Sequence, residues 1–306
     1  MTISGKAAPG ENPGKNLYLF KSCVAGSLYP GIEISIRYVL DRIDARYTDD
    51  ARHSSCTGFG YHAGVIPVLT NVALNARNFS LAVESSCDSI VCSCPTSYGN
   101  LKECKEMLEA GGPLREQASK VLGEIGRGCG QVPPIMHASE VFLSRLEEIR
   151  GRAVVSLAGV RAVTHHGCHY NKIFYEDVSS GDGERPTVLD EIAAGLGCDV
   201  VDYPERPLCC GMGFHHMLAD SEYPKAVLER KFKSILEARP DVIVTQCPGC
   251  TYNLDYYQES LCGLDIPVLY FSELVALALG ARPREIGLDM HAVPVEPFLE
   301  KIGVRA

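Results

Sequence analysis

Five cysteines in the second half carry the strongest chemical signal in the chain. Cys168 is separated by 40 residues from the pair Cys209-Cys210, and a further 36 residues lead to Cys247-Pro-Gly-Cys250. Five sulfurs exceed what a tetrahedral zinc takes, and an odd number leaves one thiol outside any disulfide set. Iron–sulfur clusters are held by cysteine thiolates. The pattern therefore points to at least one cluster, and to electron transfer or redox chemistry at sulfur. The start of the chain, MTISGKAAPGENPGKN, lacks the apolar core of a secretory signal. With 14 cysteines and no such signal, a cytoplasmic protein whose thiols bind metal or react is expected.

The same landmarks recur in the first half. Cys23 precedes Ser55-Cys56 and then Cys94-Pro-Thr-Ser97, as Cys168 precedes Cys209-Cys210 and Cys247-Pro-Gly-Cys250. Ser89-Ile90-Val91 leads into the first Cys-Pro, and Val242-Ile243-Val244 into the second. Further on, Pro134 to Glu140 aligns with Pro267 to Glu273. A duplicated fold is expected: a flexible, polar tail over 1–15, one domain over 16–150 and a second over 151–306.

The elements that would position these cysteines read as α/β in each half. Short β-branched runs bounded by turn residues suit buried parallel strands; they fall at Asn16–Lys21, Ser89–Val91, Pro134–His137, Ala162–His165, Val200–Tyr203, Asp241–Thr245 and Pro267–Phe271. Helical patterns follow at Gly31–Ile43, Val65–Ala82, Leu101–Ala110, Ser139–Ile149, Thr187–Leu196, Pro224–Ala238 and Ser272–Leu279, with Thr187 and Ser272 as N-cap candidates. The expectation is two pseudo-repeated α/β domains with parallel sheets, and iron–sulfur sites at the carboxyl ends of the strands. The landmark cysteines other than Cys56 and the Cys209-Cys210 pair directly follow such a strand.

Composition narrows the function further. A net charge of −9 without a long basic run argues against nucleic-acid binding. The apolar stretch Ile266 to Leu279 is too short for a membrane span and contains Ser272 and Glu273. No GxGxxG follows a strand, so a dinucleotide site is not expected.

The second-half motif, Cys-x40-Cys-Cys-Gly-x35-Cys-Pro-x-Cys, resembles the CCG domain, found in the B subunit of heterodisulfide reductase and in cysteine-rich subunits of related respiratory enzymes. The segments His165-His-Gly-Cys168-His169-Tyr and Pro186 to Glu191 are similar to the family's flanks. The resemblance implies a noncubane [4Fe-4S] cluster on Cys168, Cys209, Cys210, Cys247 and Cys250. It also implies two heterodisulfide-reductase-like partners: the C subunit, which carries iron–sulfur clusters, and the A subunit, which carries flavin. The first half departs from the motif, with serine at Ser55 and Ser97. A hydroxyl is a poor substitute for a soft thiolate on iron. Cys23, Cys56, Cys92 or Cys87, and Cys94 are the expected ligands of a second cluster there, [2Fe-2S] or [4Fe-4S]; the alternative is an empty relic with Cys87, Cys92 and Cys104 merely buried. Relatives with variant motifs of this sort, from sulfur-oxidising bacteria, suggest sulfur held on a lipoyl carrier protein as substrate.

Other residues follow from this. Cys209 and Cys210 are the candidate catalytic thiolates. His165, His166 and His169 surround Cys168, and His169 is the candidate for hydrogen bonding or proton transfer to sulfur. His215 and His216 are candidates for the substrate entry. Gly211 and Gly213 suit backbone close to a bulky group or at φ > 0, and Pro248 fixes the turn presenting Cys247 and Cys250. Tyr252, Tyr256 and Tyr257 read as packing or partner contact. The readings that remain are a catalytic subunit making or breaking S–S bonds, an electron-relay subunit without its own substrate, and a zinc-stabilised structural protein.

Overall fold

The computed structural model describes residues 13–174, 179–212 and 222–305. Two four-stranded sheets organise them. β1 (Asn16–Phe20), β2 (Arg46–Thr48), β3 (Ser89–Cys92) and β4 (Ile135–His137) lie in the order β2-β1-β3-β4. β5 (Arg161–His165), β6 (Asp199–Val200), β7 (Val242–Thr245) and β8 (Val268–Tyr270) lie in the order β6-β5-β7-β8. The pairings within both sheets are parallel, so each connection crosses over the sheet, mostly through helices.

The duplication extends to register. Leu17 pairs with Ser89 as Ala162 pairs with Val242, and Cys92 pairs with His137 as Thr245 pairs with Tyr270. These are the positions that superposing the cysteine landmarks makes equivalent. In the order 2-1-3-4 the chain leaves its first strand for one side of the sheet and returns on the other. A crevice opens at the carboxyl ends of β1 and β3, and likewise of β5 and β7. Those four strands lead into Cys23, Cys94, Cys168 and Cys247.

The central strands are apolar for the expected reason. Val242, Ile243, Val244 and Thr245 are all buried, as are Ser89 to Cys92. One apolar core runs through both halves, from Leu17 and Val72 to Leu274 and Phe298, and a smaller one lies around Phe232, Ile243 and Leu254. Polar links join the halves. Ser35 Oγ meets Ser272 Oγ at 2.7 Å, Tyr29 Oη donates to Asp255 at 2.7 Å, and Tyr270 Oη donates to the Ser93 carbonyl at 2.6 Å.

Several elements differ from the sequence expectation. β2 has no apolar run: Arg46 is exposed and the edge strand is only half covered. The expected strand Val200–Tyr203 shrinks to Asp199–Val200. The helix expected from Leu101 begins at Pro95, because proline suits the first helical position. The segment Ser139–Ile149 is two helices, Ala138–Ser144 and Leu146–Arg152, meeting at Arg145. Ser272 lies inside its helix; the Glu273 carboxylate accepts the Tyr270 N–H at 2.7 Å instead. Thr187 stands at an N-cap, but its hydroxyl donates to Glu191.

Candidate metal centre

The strand-following cysteines all enter helix N-termini. Cys23 and Cys168 are the first residues of helices Cys23–Leu28 and Cys168–Asn171. Cys94 and Cys247 are the N-caps of helices Pro95–Glu109 and Pro248–Tyr256, each with proline next. Unpaired N–H groups at such ends favour a negative sulfur. Cys209 and Cys210 arrive from the turn after β6, where Asn253 Nδ2 donates to the Cys210 carbonyl at 3.1 Å.

The sulfurs converge. Cys210, Cys247 and Cys250 pack together, and each thiol acts on the next: Cys168 is shifted chiefly by Cys209, Cys209 by Cys168 and Cys210, Cys210 by Cys209, and Cys250 by Cys210 and Cys247. All five second-half cysteines thus belong to one connected group. These neighbours set the thiols apart: Cys168 and Cys210 hold Cys209 low, and Cys250 and Cys94 hold Cys247 well below a normal thiol. Cys168, Cys210 and Cys250 are correspondingly pushed up.

The group includes a sixth sulfur that the sequence placed elsewhere. Cys94 packs with Cys210, Cys247 and Cys250, and the Cys247 thiol is the chief cause that pushes its own up. In the first half, Cys56 beside Cys23 holds the Cys23 thiol down at about 6, while Cys56 accepts the Gly58 N–H at 3.2 Å. The Ser97 hydroxyl sits beside Cys56, where the motif would have a further sulfur. Cys92 and Cys87 are not brought there. Both lie in the apolar core, Cys92 within β3 with burial raising its thiol strongly, and Cys87 before β3 with its thiol turned to the Ser85 carbonyl. Of the expected first-half set, Cys23, Cys56 and Cys94 remain.

The histidines separate by contact. His166 Nε2 accepts the Leu189 N–H at 3.0 Å, a structural bond that caps a helix. His53 accepts the Lys21 N–H at 2.7 Å. His169 stacks edge-on to His62 at 5.0 Å, and His62 Nε2 lies 2.7 Å from Glu103. His165 stands at the sulfurs: a ring nitrogen, Cys210 Sγ and Cys250 Sγ lie within 4.8 Å of one another. Gly213, His215 and His216 lie outside the described residues. Gly211 has φ +85°, but what a Cβ there would strike is the Pro224 carbonyl, at 2.6 Å.

Gly167 is the glycine that the site demands. It has φ +82°, and a Cβ would stand 3.0 Å from Cys247 Cβ and 3.5 Å from Cys250 Sγ. Gly167→Ala adds that crowding to a backbone strain of ~1–3 kcal/mol. The expected result is a chain that folds but retains clearly less iron after reconstitution, checked by iron assay beside circular dichroism. Wild-type iron retention would refute the crowding.

The residues fit an iron–sulfur group. The donors are soft, Cys210, Cys247 and Cys250 are buried and Cys168 and Cys209 partly so, Cys209 and Cys247 are held toward thiolate, and His165 Nε2 is buried without a hydrogen-bond partner among the described residues. Thiolates are the metal-binding form of cysteine.

Two α/β halves, each gathering cysteines at its strand ends, define a duplicated cysteine-rich domain, and the CCG family, a cysteine-rich domain, matches residues 17–102 and 162–255. More particularly, the chain belongs to the family of heterodisulfide reductase B subunits. It is 36% identical to the B subunit of the ferredoxin:CoB-CoM heterodisulfide reductase of Methanosarcina acetivorans, over 95% of this chain and 98% of that one. It is 27% identical to the 8-methylmenaquinol:fumarate reductase membrane anchor subunit of Wolinella succinogenes, over 78% of this chain and 84% of that one. A Helicobacter pylori hypothetical protein shares the fold, with a TM-score of 0.69 at 13% identity, over 96% of this chain and 55% of that one. The family supports an oxidoreductase role with iron–sulfur clusters. No helix among the described residues is long and apolar enough to cross a membrane.

Proposed function

We propose that the chain is the iron–sulfur subunit of a heterodisulfide-reductase-like complex that makes or breaks S–S bonds at a noncubane [4Fe-4S] cluster held by Cys168, Cys209, Cys210, Cys247 and Cys250. The observation that carries this is the packing of Cys210, Cys247 and Cys250 into one cluster, with the Cys168 and Cys209 thiols acting on it and on each other. The cluster, when bound, supplies one-electron steps and stabilisation of a thiolate.

The chain's own residues supply the surroundings. The helix starting at Pro248 presents Cys247 and Cys250 together, and Gly167 leaves room beside them. Reduction of a disulfide consumes two electrons and two protons. His165 and His169 are the imidazoles beside the sulfurs, and burial lowers them to about 3 and about 4, so each faces the sulfurs as a neutral ring that can offer an N–H. Cys23, Cys56 and Cys94 would hold a second iron–sulfur group, [2Fe-2S] or [4Fe-4S]. The partners would be the iron–sulfur C subunit of such a complex together with its flavin-bearing A subunit, and the sulfur substrate would sit on a lipoyl carrier protein, in the cytoplasm.

The Cys94–Cys247 contact also favours a second reading, an electron-relay subunit without its own substrate, because it joins the two cysteine sets directly. Anaerobic EPR with iron and sulfide counts separates the two. Catalysis at sulfur is expected to give an oxidised-state signal that shifts when thiol is added and is lost in Cys209→Ser. A reduced-state signal indifferent to thiol would leave the relay reading standing and remove the first.

A further inference from the structure

Lys231 is fully buried in the helix Glu222–Ala238, where a charged group needs partners. Its Nζ reaches three. It donates to the Glu205 carbonyl at 2.7 Å and to the Arg206 carbonyl at 3.4 Å, and it lies 3.4 Å from His165 Nδ1. The Tyr203 ring covers it at 5.3 Å. An ammonium has three N–H groups and no acceptor, and the two carbonyls can only accept. The third N–H therefore falls to His165 Nδ1. A neutral imidazole that accepts at Nδ1 carries its proton on Nε2.

Nε2 of His165 is buried and has no hydrogen-bond partner among the described residues, and the ring stands beside the sulfurs of Cys210 and Cys250. We propose that Lys231 is a positioning residue that fixes His165 as an Nε2–H donor to the sulfurs of Cys210 and Cys250, and not as an iron ligand. The same ammonium ties down the Glu205–Arg206 turn that leads into Cys209-Cys210. The Arg206 guanidinium secures that turn from the other side, through Asp190 at 2.6 Å. The buried cation thus sets both the position of the paired cysteines and the polarity of the imidazole facing them. Such supporting hydrogen bonds tune a metal site from outside its ligands.

The inference rests on the iron–sulfur reading above, and its test separates the two. Pulsed EPR on the iron-loaded full chain, in H2O and D2O, reads exchangeable protons and nitrogens near the cluster. The expected result is an exchangeable-proton coupling in the wild type that is lost in His165→Phe. It should weaken in Lys231→Met with iron content retained. Lys231→Gln serves as a second variant, since its amide N–H groups can still satisfy the two carbonyls if methionine prevents folding. A proton coupling unchanged in both Lys231 variants would overturn the proposal. So would a strongly coupled nitrogen that disappears in His165→Phe, which would make His165 a ligand. A chain that takes up no iron sinks the iron–sulfur reading itself.

Discussion

Replacing Cys247 with serine is expected to abolish the iron signal of the second half and disturb that of the first, whereas Cys210→Ser abolishes only the former. Cys247 is the meeting point of the sulfurs. It is the N-cap of its helix, and it packs with Cys250 of its own half and Cys94 of the other, both of which hold its thiol low. Serine keeps the cap but replaces a soft thiolate, held well below its usual range, with a hydroxyl that stays protonated and binds iron weakly. Cys210 packs near Cys94, but the thiols that shift its own most are Cys209 and Cys250, both of its own half. Iron and sulfide counts with EPR on both variants check the difference, and circular dichroism checks folding, because burying an unpaired hydroxyl costs about 1–3 kcal/mol. Identical losses in the two variants would mean that the Cys94–Cys247 packing does not join the sites.

That packing contact marks the limit of what the sequence disclosed. The repeat of landmarks at matching spacing, with β-branched runs before each Cys-Pro, was enough to read two parallel sheets with cysteines at the strand ends, because periodicity and proline placement are local. The five second-half cysteines are likewise legible as one group by spacing. Cys94 is not, since its partner Cys247 comes from the other half, and only the packing of one crevice against the other decides it. Cys87 and Cys92 show the converse: proximity in sequence suggested ligands, but Cys92 is a strand residue turned into the core and Cys87 lies before the strand begins. Lys231 left a trace that could have been read. Leu228, Lys231, Ile235 and Ala238 follow the spacing of an apolar helix face, and all are buried. A lysine on that stripe signals a buried charge with a partner.

Asp255→Ala is expected to loosen the two halves more than any single apolar truncation at their contact. Asp255 accepts from Tyr29 Oη at 2.7 Å, from Ala292 N at 2.8 Å and from Val293 N at 2.9 Å, and lies 3.3 Å from His291 Nδ1. Glu273 lies 3.2 Å from the other ring nitrogen. Removing one member of such a buried ionic group costs about 3–5 kcal/mol, and a fall in melting temperature on the order of 10 °C follows for a chain of this size. The pH dependence supplies an independent check. Burial alone would lower the His291 imidazole, but Glu273 and Asp255 more than reverse it and raise it to about 10. The folded value lies above the unfolded one, so the contribution is complete below pH ~6.5 and is lost as pH rises toward about 10, at ~1.4 kcal/mol per pH unit within that window. Thermal unfolding of the wild type should therefore weaken steadily from pH 7 to pH 9.5, and that of Asp255→Ala much less. Parallel curves for the two proteins would show that His291 is not held as a cation between the carboxylates.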